Sequence, residues 1–320
     1  MKKSLLVIAI LQSLCMQSQT PYMDSCFTVY NDKSQPDSVR LDAIQRYAWL
    51  YRTFSYDSAF KYGNWHLKLA KEAGNIKQEA RAHNTIGVCY LEKGKYKEAQ
   101  AHQDTNVRKM LSINDSLGAA YAYGNLANSL YRIGEYRQSI VNYELSANLF
   151  EDIGALNWKS LALSQCGLAY KRLGEYPTAI EYTNDAYKTA MAAGDTGKAI
   201  VANTNLANIY EDLDEDETAM EMLIKGLEMA RKIGKTNSEG TILANIGGIA
   251  YKQEDFQKAL KYYYQSLSIK LETQRAYDIA HLYSVIGNVL TYVDSSDKAE
   301  VYFYKAYNMD KENGKSAQFC

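Results

Sequence analysis

The sequence predicts an all-α protein, a solenoid of about seven helix-turn-helix units. Two observations carry this prediction. Only three prolines, Pro21, Pro36 and Pro177, occur among 320 residues, so long helices are permitted almost everywhere. Glycine and other small residues also recur at a constant interval of forty positions. Because a single unit of this length cannot bury its own apolar face, the units must stack on one another.

The overall composition is that of a soluble globular protein, with 47% apolar and 23% charged residues. The sequence contains 36 Lys and Arg residues and 37 Asp and Glu residues, which gives a net charge of −1. This balance excludes the strongly basic surface that most nucleic-acid binders need. It also excludes the long charged tracts of a disordered regulator. We therefore expect no nucleic-acid partner.

Residues 1–19 have the layout of a secretory signal peptide. Two lysines precede an apolar stretch from Leu5 to Leu14, and small and polar residues follow it. The apolar stretch is too short to span a bilayer as a helix. We expect cleavage near Ser18 or Gln19 and export of the mature chain to the periplasm or the cell envelope. No later segment is long and apolar enough to be transmembrane.

An alternative fate of the leader is lipidation at Cys15, which would anchor the chain to a membrane. Leu14 argues against it, because a small residue normally precedes a lipidated cysteine. Plain cleavage removes two of the 36 basic residues, so the mature chain would carry a net charge of about −3.

Four further cysteines form neither a CxxC pair nor a dense disulfide framework. Cys89 and Cys166 fall within apolar helical stripes, where cysteine acts as a small buried hydrophobe. A disulfide that involves Cys26 or Cys320 stays open, because export would place the chain in an oxidising compartment.

An N-terminal segment, residues 20–39, precedes seven units of forty residues, numbered here as repeats 1 to 7. Three series of residues keep one register across them, and in the second series Asn114 and Gln274 fill the two gaps. The repeats span residues 40–79, 80–119, 120–159, 160–199, 200–239, 240–279 and 280–319. The three series are Gly94, Gly134 and Gly174; Gly74, Gly154, Gly194, Gly234 and Gly314; and Gly87, Ala127, Gly167, Ala207, Gly247 and Gly287.

Repeat 4 shows why each unit forms two helices. Leu163, Cys166 and Tyr170 recur at spacings of three and four, which is the helical period. A turn at Gly174 ends this first helix, and Pro177 stands at the start of the second, where its missing N–H costs nothing. Glycine or asparagine then tolerates the left-handed conformation that ends the second helix. The small residues of the third series allow the two helices to approach closely.

The pattern resembles the tetratricopeptide repeat, whose signature combines a large residue, Leu-Gly, Tyr and a later Ala. The matching residues are Ile86, Gly87, Tyr90 and Ala99; Cys166, Gly167, Tyr170 and Ala179; and Leu206, Ala207, Tyr210 and Ala219. The resemblance covers about seven-eighths of the chain. It is strongest to the long-helix class found in spindle-orientation adaptors and bacterial peptide-pheromone receptors, and to extracytoplasmic sensor domains of bacterial signalling proteins. It implies a right-handed superhelix that binds peptides or protein segments.

Two positions depart from the family pattern. Tyr47 stands where repeat 1 should have a small residue, so its first helix is expected to be an atypical cap. Asp216 replaces an aromatic residue inside the acidic run 211–217. A calcium loop counted from Asp212 would have Glu217 where glycine is required and Leu223 where the bidentate glutamate belongs. We therefore interpret the run as a solvated turn.

No pattern in the sequence indicates an enzyme, a metal site or a cofactor. None of the four histidines pairs with another at the i, i+4 spacing of zinc hydrolases. The segment 194–199 resembles a phosphate loop only superficially, because Ala192 and Ala199 replace residues that such a loop needs. We expect a protein that binds rather than one that catalyses.

The candidate binding surface is the side of each first helix opposite its buried stripe, which lines the groove in related repeats. Counted from the first residue of each repeat, it comprises positions 2, 5, 6, 9, 12 and 13, and we call it the inner face. Its candidate ligand-binding residues are Asn84, Asn125, Asn128, Asn205, Asn208, Asn245 and Asn288, together with Arg81, Arg132, Arg172, Tyr131, Tyr251 and His281.

Asparagine is a poor helix former, so a series of asparagines inside helices needs a reason. An amide side chain both donates and accepts hydrogen bonds, which matches the main chain of an extended peptide. The resemblance supports this reading, because such asparagines clasp peptides in the family's peptide-binding members. The alternative is that the amides only bridge adjacent helices or face water. The basic residues, with Glu211 and Asp212 further along, predict a groove that grades from basic to mixed charge.

Two functions therefore compete: a sensor or scaffold that binds an extended segment, and an assembly scaffold or accessory subunit that recruits a folded partner or enzyme. The last helix adds a further expectation. Val301, Phe303, Tyr304 and Tyr307 make it unusually aromatic, and the chain ends at Cys320 without a polar cap. We expect this end to pair with a second copy or with a signalling partner. Fraying of polar last turns is the alternative.

Overall fold

The structure is a computed structural model that describes residues 21–52, 55–273, 276–293 and 295–312. Within these ranges it is all helical, with fifteen helices and no strand. The predicted signal peptide, Cys15, Gln274, Gly314 and Cys320 lie outside the described residues.

The forty-residue period recurs in the helix starts. First helices begin at Ile76, Ser116, Leu156, Thr196, Thr236 and Ala276, four residues before the repeat boundaries used above. The first seven helices are α1 (21–31), α2 (Asp37–Tyr51), α3 (Tyr56–Glu72), α4 (Ile76–Glu92), α5 (Tyr96–Ser112), α6 (Ser116–Arg132) and α7 (Tyr136–Asp152). The remainder are α8 (Leu156–Arg172), α9 (Tyr176–Ala192), α10 (Thr196–Asp212), α11 (Asp216–Lys232), α12 (Thr236–Lys252), α13 (Phe256–Glu272), α14 (Ala276–Tyr292) and α15 (Ser296–Glu312).

The turns confirm the predicted left-handed helix ends. Gly74 and the equivalent described glycines have positive φ angles, and Asn114, which fills a gap in that series, has φ 54°. In the acidic run, Asp214 takes the same conformation at φ 59° and is highly exposed. The run is the end of α10, a three-residue turn and the start of α11, which confirms the solvated turn.

The small residues of the third series lie where helices of one pair approach closely, as predicted. An added Cβ at Gly167 would lie 2.1 Å from Oγ1 of Thr183. At Gly247 it would lie 2.9 Å from the ring of Tyr263. Any larger side chain would therefore push the two helices apart.

The described residues divide into two compact lobes, an N-terminal lobe that ends at Gly154 and a C-terminal lobe that begins at Ala155. In the N-terminal lobe, one apolar cluster surrounds Val107 and Leu126. In the C-terminal lobe, buried isoleucines such as Ile242 and Ile246 pack with Leu223. Each lobe thus has its own apolar core.

The first described helices form an aromatic end to the N-terminal lobe. Tyr47 of α2 is buried, and its ring lies 5.1 Å from Phe27 of α1 and 4.8 Å from Tyr62 of α3. Burial and the hydroxyl groups of Tyr51 and Tyr62 raise the pKa of Tyr47. Tyr47 thus packs against α1 and α3 in place of the small residue of other repeats.

Cys89 and Cys166 are fully buried, which confirms their prediction as buried hydrophobes. Cys26 is also buried and forms no disulfide with another described cysteine, and burial raises the pKa of its thiol. Among the described helices, none combines the length and the apolar character needed to cross a membrane.

Candidate inner-face binding site

Within each lobe, the first helices of successive repeats come close together. In the N-terminal lobe α4 touches both α2 and α6, and in the C-terminal lobe α10 touches both α8 and α12. Second helices of successive repeats approach one another less closely. The first helices therefore line the inner side of each stack, where the predicted binding residues lie.

In the N-terminal lobe the structure brings two of the predicted asparagines together. The side-chain Nδ2 of Asn125 donates to Oδ1 of Asn84 at 3.0 Å, so the amides bridge α6 and α4. Both side chains are partly exposed. The third asparagine, Asn128, is exposed, and its Oδ1 accepts a hydrogen bond from the hydroxyl of Tyr143 at 2.6 Å.

The C-terminal lobe repeats this arrangement. Nδ2 of Asn245 donates to Oδ1 of Asn208 at 2.9 Å, and Nδ2 of Asn205 donates to Oγ of Ser164 at 2.9 Å. The amides again bridge neighbouring first helices. Asn288 and His281, on α14, are exposed.

Each asparagine pair leaves hydrogen-bonding groups unused. Within the described residues, Nδ2 of Asn84 and Oδ1 of Asn125 have no hydrogen-bond partner, and the same is true of Nδ2 of Asn208 and Oδ1 of Asn245. The bridge also limits the rotamers of both side chains. Each pair thus presents a donor and an acceptor in a held position.

The charged groups on the inner face are largely paired between repeats. Arg81 binds Asp42 at 2.9 Å, and Arg132 forms an ion pair with Glu92. Arg172 is exposed at the end of α8. These partners offset the basic character that was expected of the N-terminal part of the groove.

In the C-terminal lobe, acidic side chains outnumber the lysines near the ends of α8, α10 and α12. Lys171 binds Asp212 at 3.1 Å, and Lys252 binds Asp214 at 2.6 Å and Asp216 at 2.9 Å. This pairing leaves Glu211 without an ion-pair partner among the described residues. Burial raises the pKa of Glu211, whereas the nearby Lys171 and Lys252 lower it.

The two predicted tyrosines pack at the ends of first helices. The Tyr131 ring lies 5.3 Å from Tyr136, across the turn of repeat 3. The Tyr251 ring lies 5.9 Å from Tyr292 and 6.0 Å from Phe256. Both are partly exposed, so their rings remain accessible from the inner face.

Sequence reasoning missed a histidine pair inside repeat 2. Nδ1 of His83 on α4 lies 3.0 Å from Nδ1 of His102 on α5. At this distance only one of the two Nδ1 atoms carries a proton. Burial, and then the charges of His102, Lys109 and Lys71, lower the pKa of His83 to about 4. The signal was the separation of 19 residues, which places facing positions of the two helices in contact.

Around the inner face, no cluster of three or more His, Cys, Asp or Glu side chains in the described ranges is arranged to hold a metal ion. On α15, where an interaction surface was expected, Tyr304 is 66% exposed and Tyr307 53%. Phe303 is less exposed, at 38%, and its ring lies over Gly287 of α14, where an added Cβ would be 2.7 Å away. Asp310, Glu312 and the residues after them have no described side chains.

Known proteins share both the repeat and the fold. The sequence profile of the tetratricopeptide repeat matches residues 118–192, 197–272 and 241–312, and a second tetratricopeptide profile matches residues 80–104. The structure of the apo quorum sensor NprR from B. thuringiensis is similar, with a TM-score of 0.66 and 14% identity, over 94% of this chain and 84% of that chain.

A second similar structure is the Rap conjugation gene regulator of the plasmid pLS20 in complex with the Phr* peptide. Its TM-score is 0.57 at 16% identity, over 88% of this chain and 77% of that chain. Glucose-6-phosphate isomerase from Lactococcus lactis is 35% identical over 80 residues, which is 25% of this chain but only 16% of the isomerase. Since the repeat profile matches more than half of its sequence, this chain belongs to the tetratricopeptide repeat family.

Proposed function

We propose that this chain is a non-enzymatic binding module that holds an extended peptide or protein segment along its inner face, as a sensor or scaffold. The observation that carries the proposal is the bridged asparagine pair, which occurs as Asn84 with Asn125 in one lobe and as Asn208 with Asn245 in the other. Each pair leaves one side-chain NH₂ group and one carbonyl oxygen without a hydrogen-bond partner among the described residues.

The chemistry of these groups suits a main chain rather than a particular side chain. A peptide in extended form offers an N–H and a C=O at each residue, and an amide pair complements both. The bridge between the two amides limits their motion before the ligand arrives, which lowers the entropy lost on binding. Side chains of the segment would then contact the tyrosines and charged groups around the pairs.

Relatives of known structure support the proposal in general terms. The similar Rap regulator was solved in complex with the Phr* peptide, and NprR is described as a quorum sensor. Both share with this chain a stack of helical repeats.

Titration with a fluorescent random hexapeptide library tests the proposal. We expect Asn84→Ala and Asn125→Ala each to weaken binding by on the order of 1–3 kcal/mol, because the ligand loses a hydrogen bond in a partly buried site. The matched control is Asn64→Ala, an exposed asparagine on α3 whose amide bonds only to its own helix. If all three variants bind alike, or if the inner-face variants lose folding and binding together, the asparagines serve only to bridge helices.

Recruitment of a folded partner or of a second copy is the second candidate. It is favoured by α15, where Val301, Tyr304 and Tyr307 are each more than half exposed. Light scattering across the micromolar range tests self-association. The variant is Tyr304→Asp, because the Phe303 ring also contacts Gly287 within the fold, which would confound a change at Phe303. If the unmodified protein and the Tyr304→Asp variant are both monomers, the self-association hypothesis is wrong.

We also propose that the protein is exported. The support is the leader layout of residues 1–19, with two lysines ahead of a short apolar stretch. Mass analysis of protein from the native cell should find an N-terminus near Gln19 or Thr20. An intact Met1 in a cytoplasmic fraction would contradict export.

A further inference from the structure

A notch opens in the inner face of the C-terminal lobe at Gly248. This glycine is position 9 of repeat 6, where repeats 3, 5 and 7 have Asn128, Asn208 and Asn288. An added Cβ at Gly248 would meet no atom closer than Oη of Tyr263, at 3.8 Å, and Oε1 of Glu211, at 4.0 Å. Gly248 is itself partly exposed, so the notch is open to solvent. A hydroxyl and a carboxylate therefore form its floor.

Repeat 3 shows what is missing from this notch. Tyr143 there occupies the same repeat position as Tyr263, and its hydroxyl donates to Oδ1 of Asn128 at 2.6 Å. Tyr263 faces Gly248 instead of an asparagine. The residue is 6% exposed, and its hydroxyl has no hydrogen-bond partner among the described residues. A ligand that donates a hydrogen bond at the notch would give the hydroxyl oxygen a partner.

The carboxylate of Glu211 also lacks a partner. Glu211 is partly buried at the end of α10, and its side chain makes no hydrogen bond or ion pair within the described residues. Its two lysine neighbours are already bound by aspartates, so this group of two lysines and four carboxylates has a net charge of −2. The bound pairs are Lys171–Asp212, Lys252–Asp214 and Lys252–Asp216.

We propose that this notch is a subsite for a positively charged hydrogen-bond donor, the ammonium of a lysine or the guanidinium of an arginine in the bound segment. Glu211 supplies the charge, and Tyr263 supplies a hydroxyl oxygen that accepts. Asn245, three residues before Gly248 on the same helix face, adds an unused Oδ1. Three acceptors match the donors of either cation. The assignment rests on the proposed function, because the cation belongs to the segment held by the asparagines.

The subsite is tested with single-residue probes, so that no extended peptide is needed. Nα-acetyl-lysine-N-methylamide is titrated into the full chain carrying ¹³Cζ-labelled tyrosine, at constant ionic strength, and Tyr263→Phe assigns the signal. We expect the lysine probe to shift the Tyr263 signal and the uncharged norleucine probe, which has the same four carbons without the ammonium, to leave it unchanged. Glu211→Gln should weaken the lysine probe at least about tenfold, because it removes a charge-assisted hydrogen bond.

Two substitutions copied from the chain's own repeats sharpen the test. Gly248→Asn recreates the Asn128–Tyr143 contact of repeat 3 and should abolish the response without lowering the melting temperature. Asn128→Gly opens the equivalent notch in repeat 3, but Leu91 stands there in place of Glu211. We therefore expect no binding of the lysine probe at that second notch.

An equal response to the norleucine probe, or an undiminished response in Gly248→Asn, would overturn the proposal. Binding of n-butylammonium without binding of the lysine probe would overturn the assignment to a side chain of a segment, in favour of a free amine. The proposed peptide binding can fail independently of the proposed subsite. If the protein binds the lysine probe but no hexapeptide, the subsite proposal stands and the peptide-binding proposal fails. If hexapeptide binding depends on Asn84 but not on Glu211, only the subsite proposal fails.

Discussion

Two adjacent glycines on α12 should respond to the same substitution in opposite ways. Gly247→Ala and Gly248→Ala both replace glycine inside the helix Thr236–Lys252, and each gains about 0.8–1.0 kcal/mol of helix propensity. At Gly248 the new methyl group meets no atom within 3.8 Å, so the gain should appear as increased stability. At Gly247 it would lie 2.9 Å from two ring carbons of Tyr263.

The contact at Gly247 sets the magnitude. The Tyr263 ring is buried in the core of the C-terminal lobe, so it has little room to turn aside. Overfilling such a contact costs about 1–3 kcal/mol. Because the propensity gain is common to both variants, Gly247→Ala should be less stable than Gly248→Ala by that amount. Repeat 3 accommodates Ala127 beside Tyr143, which places the expected difference in the lower half of the range.

The measurement must report on α12 and α13 alone, because a repeat array with two compact lobes need not unfold in one step. Hydrogen exchange by mass spectrometry does so, with α4 to α6 as an internal reference. Repeat 5 pairs Ala207 with Leu223 at the same two positions, so Gly247→Ala combined with Tyr263→Leu should recover much of the lost protection. If Gly247→Ala protects α12 as well as Gly248→Ala does, the close contact does not constrain the helices.

Three further outcomes follow from single residues. Burial lowers the pKa of His66 from 6.5 to about 4, so the unfolded state binds the proton first as the pH drops. The free energy of unfolding should therefore fall between about pH 6.5 and pH 4, by up to about 3 kcal/mol. Urea titrations of His66→Gln should show a flatter pH dependence of this free energy. Glu254 holds a left-handed φ of 59°, so Glu254→Gly should raise the unfolding free energy by about 1 kcal/mol, and Asn114→Gly by less, because asparagine tolerates this conformation. Burial and then the neighbouring His102 lower the pKa of His83, so His102→Asn should raise it, as an NMR titration would show; an unchanged pKa would mean that the rings do not interact.

The fold was predictable because it depends on residues whose effect is local. The left-handed turn at Gly74 and the close approach at Gly167 are backbone requirements that glycine meets most readily. Repetition of such residues every forty positions therefore determines where each helix starts and which faces touch. The same logic placed the asparagines on one face of the first helices.

The partners of those asparagines could not be predicted. Asn125 bonds to Asn84, at position 5 of the preceding repeat. Asn245 also bonds to the preceding repeat, but to Asn208 at position 9. Which amides meet depends on small shifts between stacked helices, and no single residue type in the sequence indicates such a shift. The contact between His83 and His102 escaped for a similar reason, since helical spacing within one element says nothing about a neighbour.

In a chain built from repeats, each repeat provides a reference for the others. Positions that keep one residue type, such as the glycines of the turns, are explained by folding alone. A position that differs from its equivalent in another repeat, and thereby leaves a polar group without a protein partner, forgoes a hydrogen bond within the fold. Gly248 is such a departure, because it removes the amide that bonds the equivalent tyrosine in repeat 3. The unbonded hydroxyl of Tyr263 and the unpaired carboxylate of Glu211 are therefore better explained by a ligand than by the stack itself.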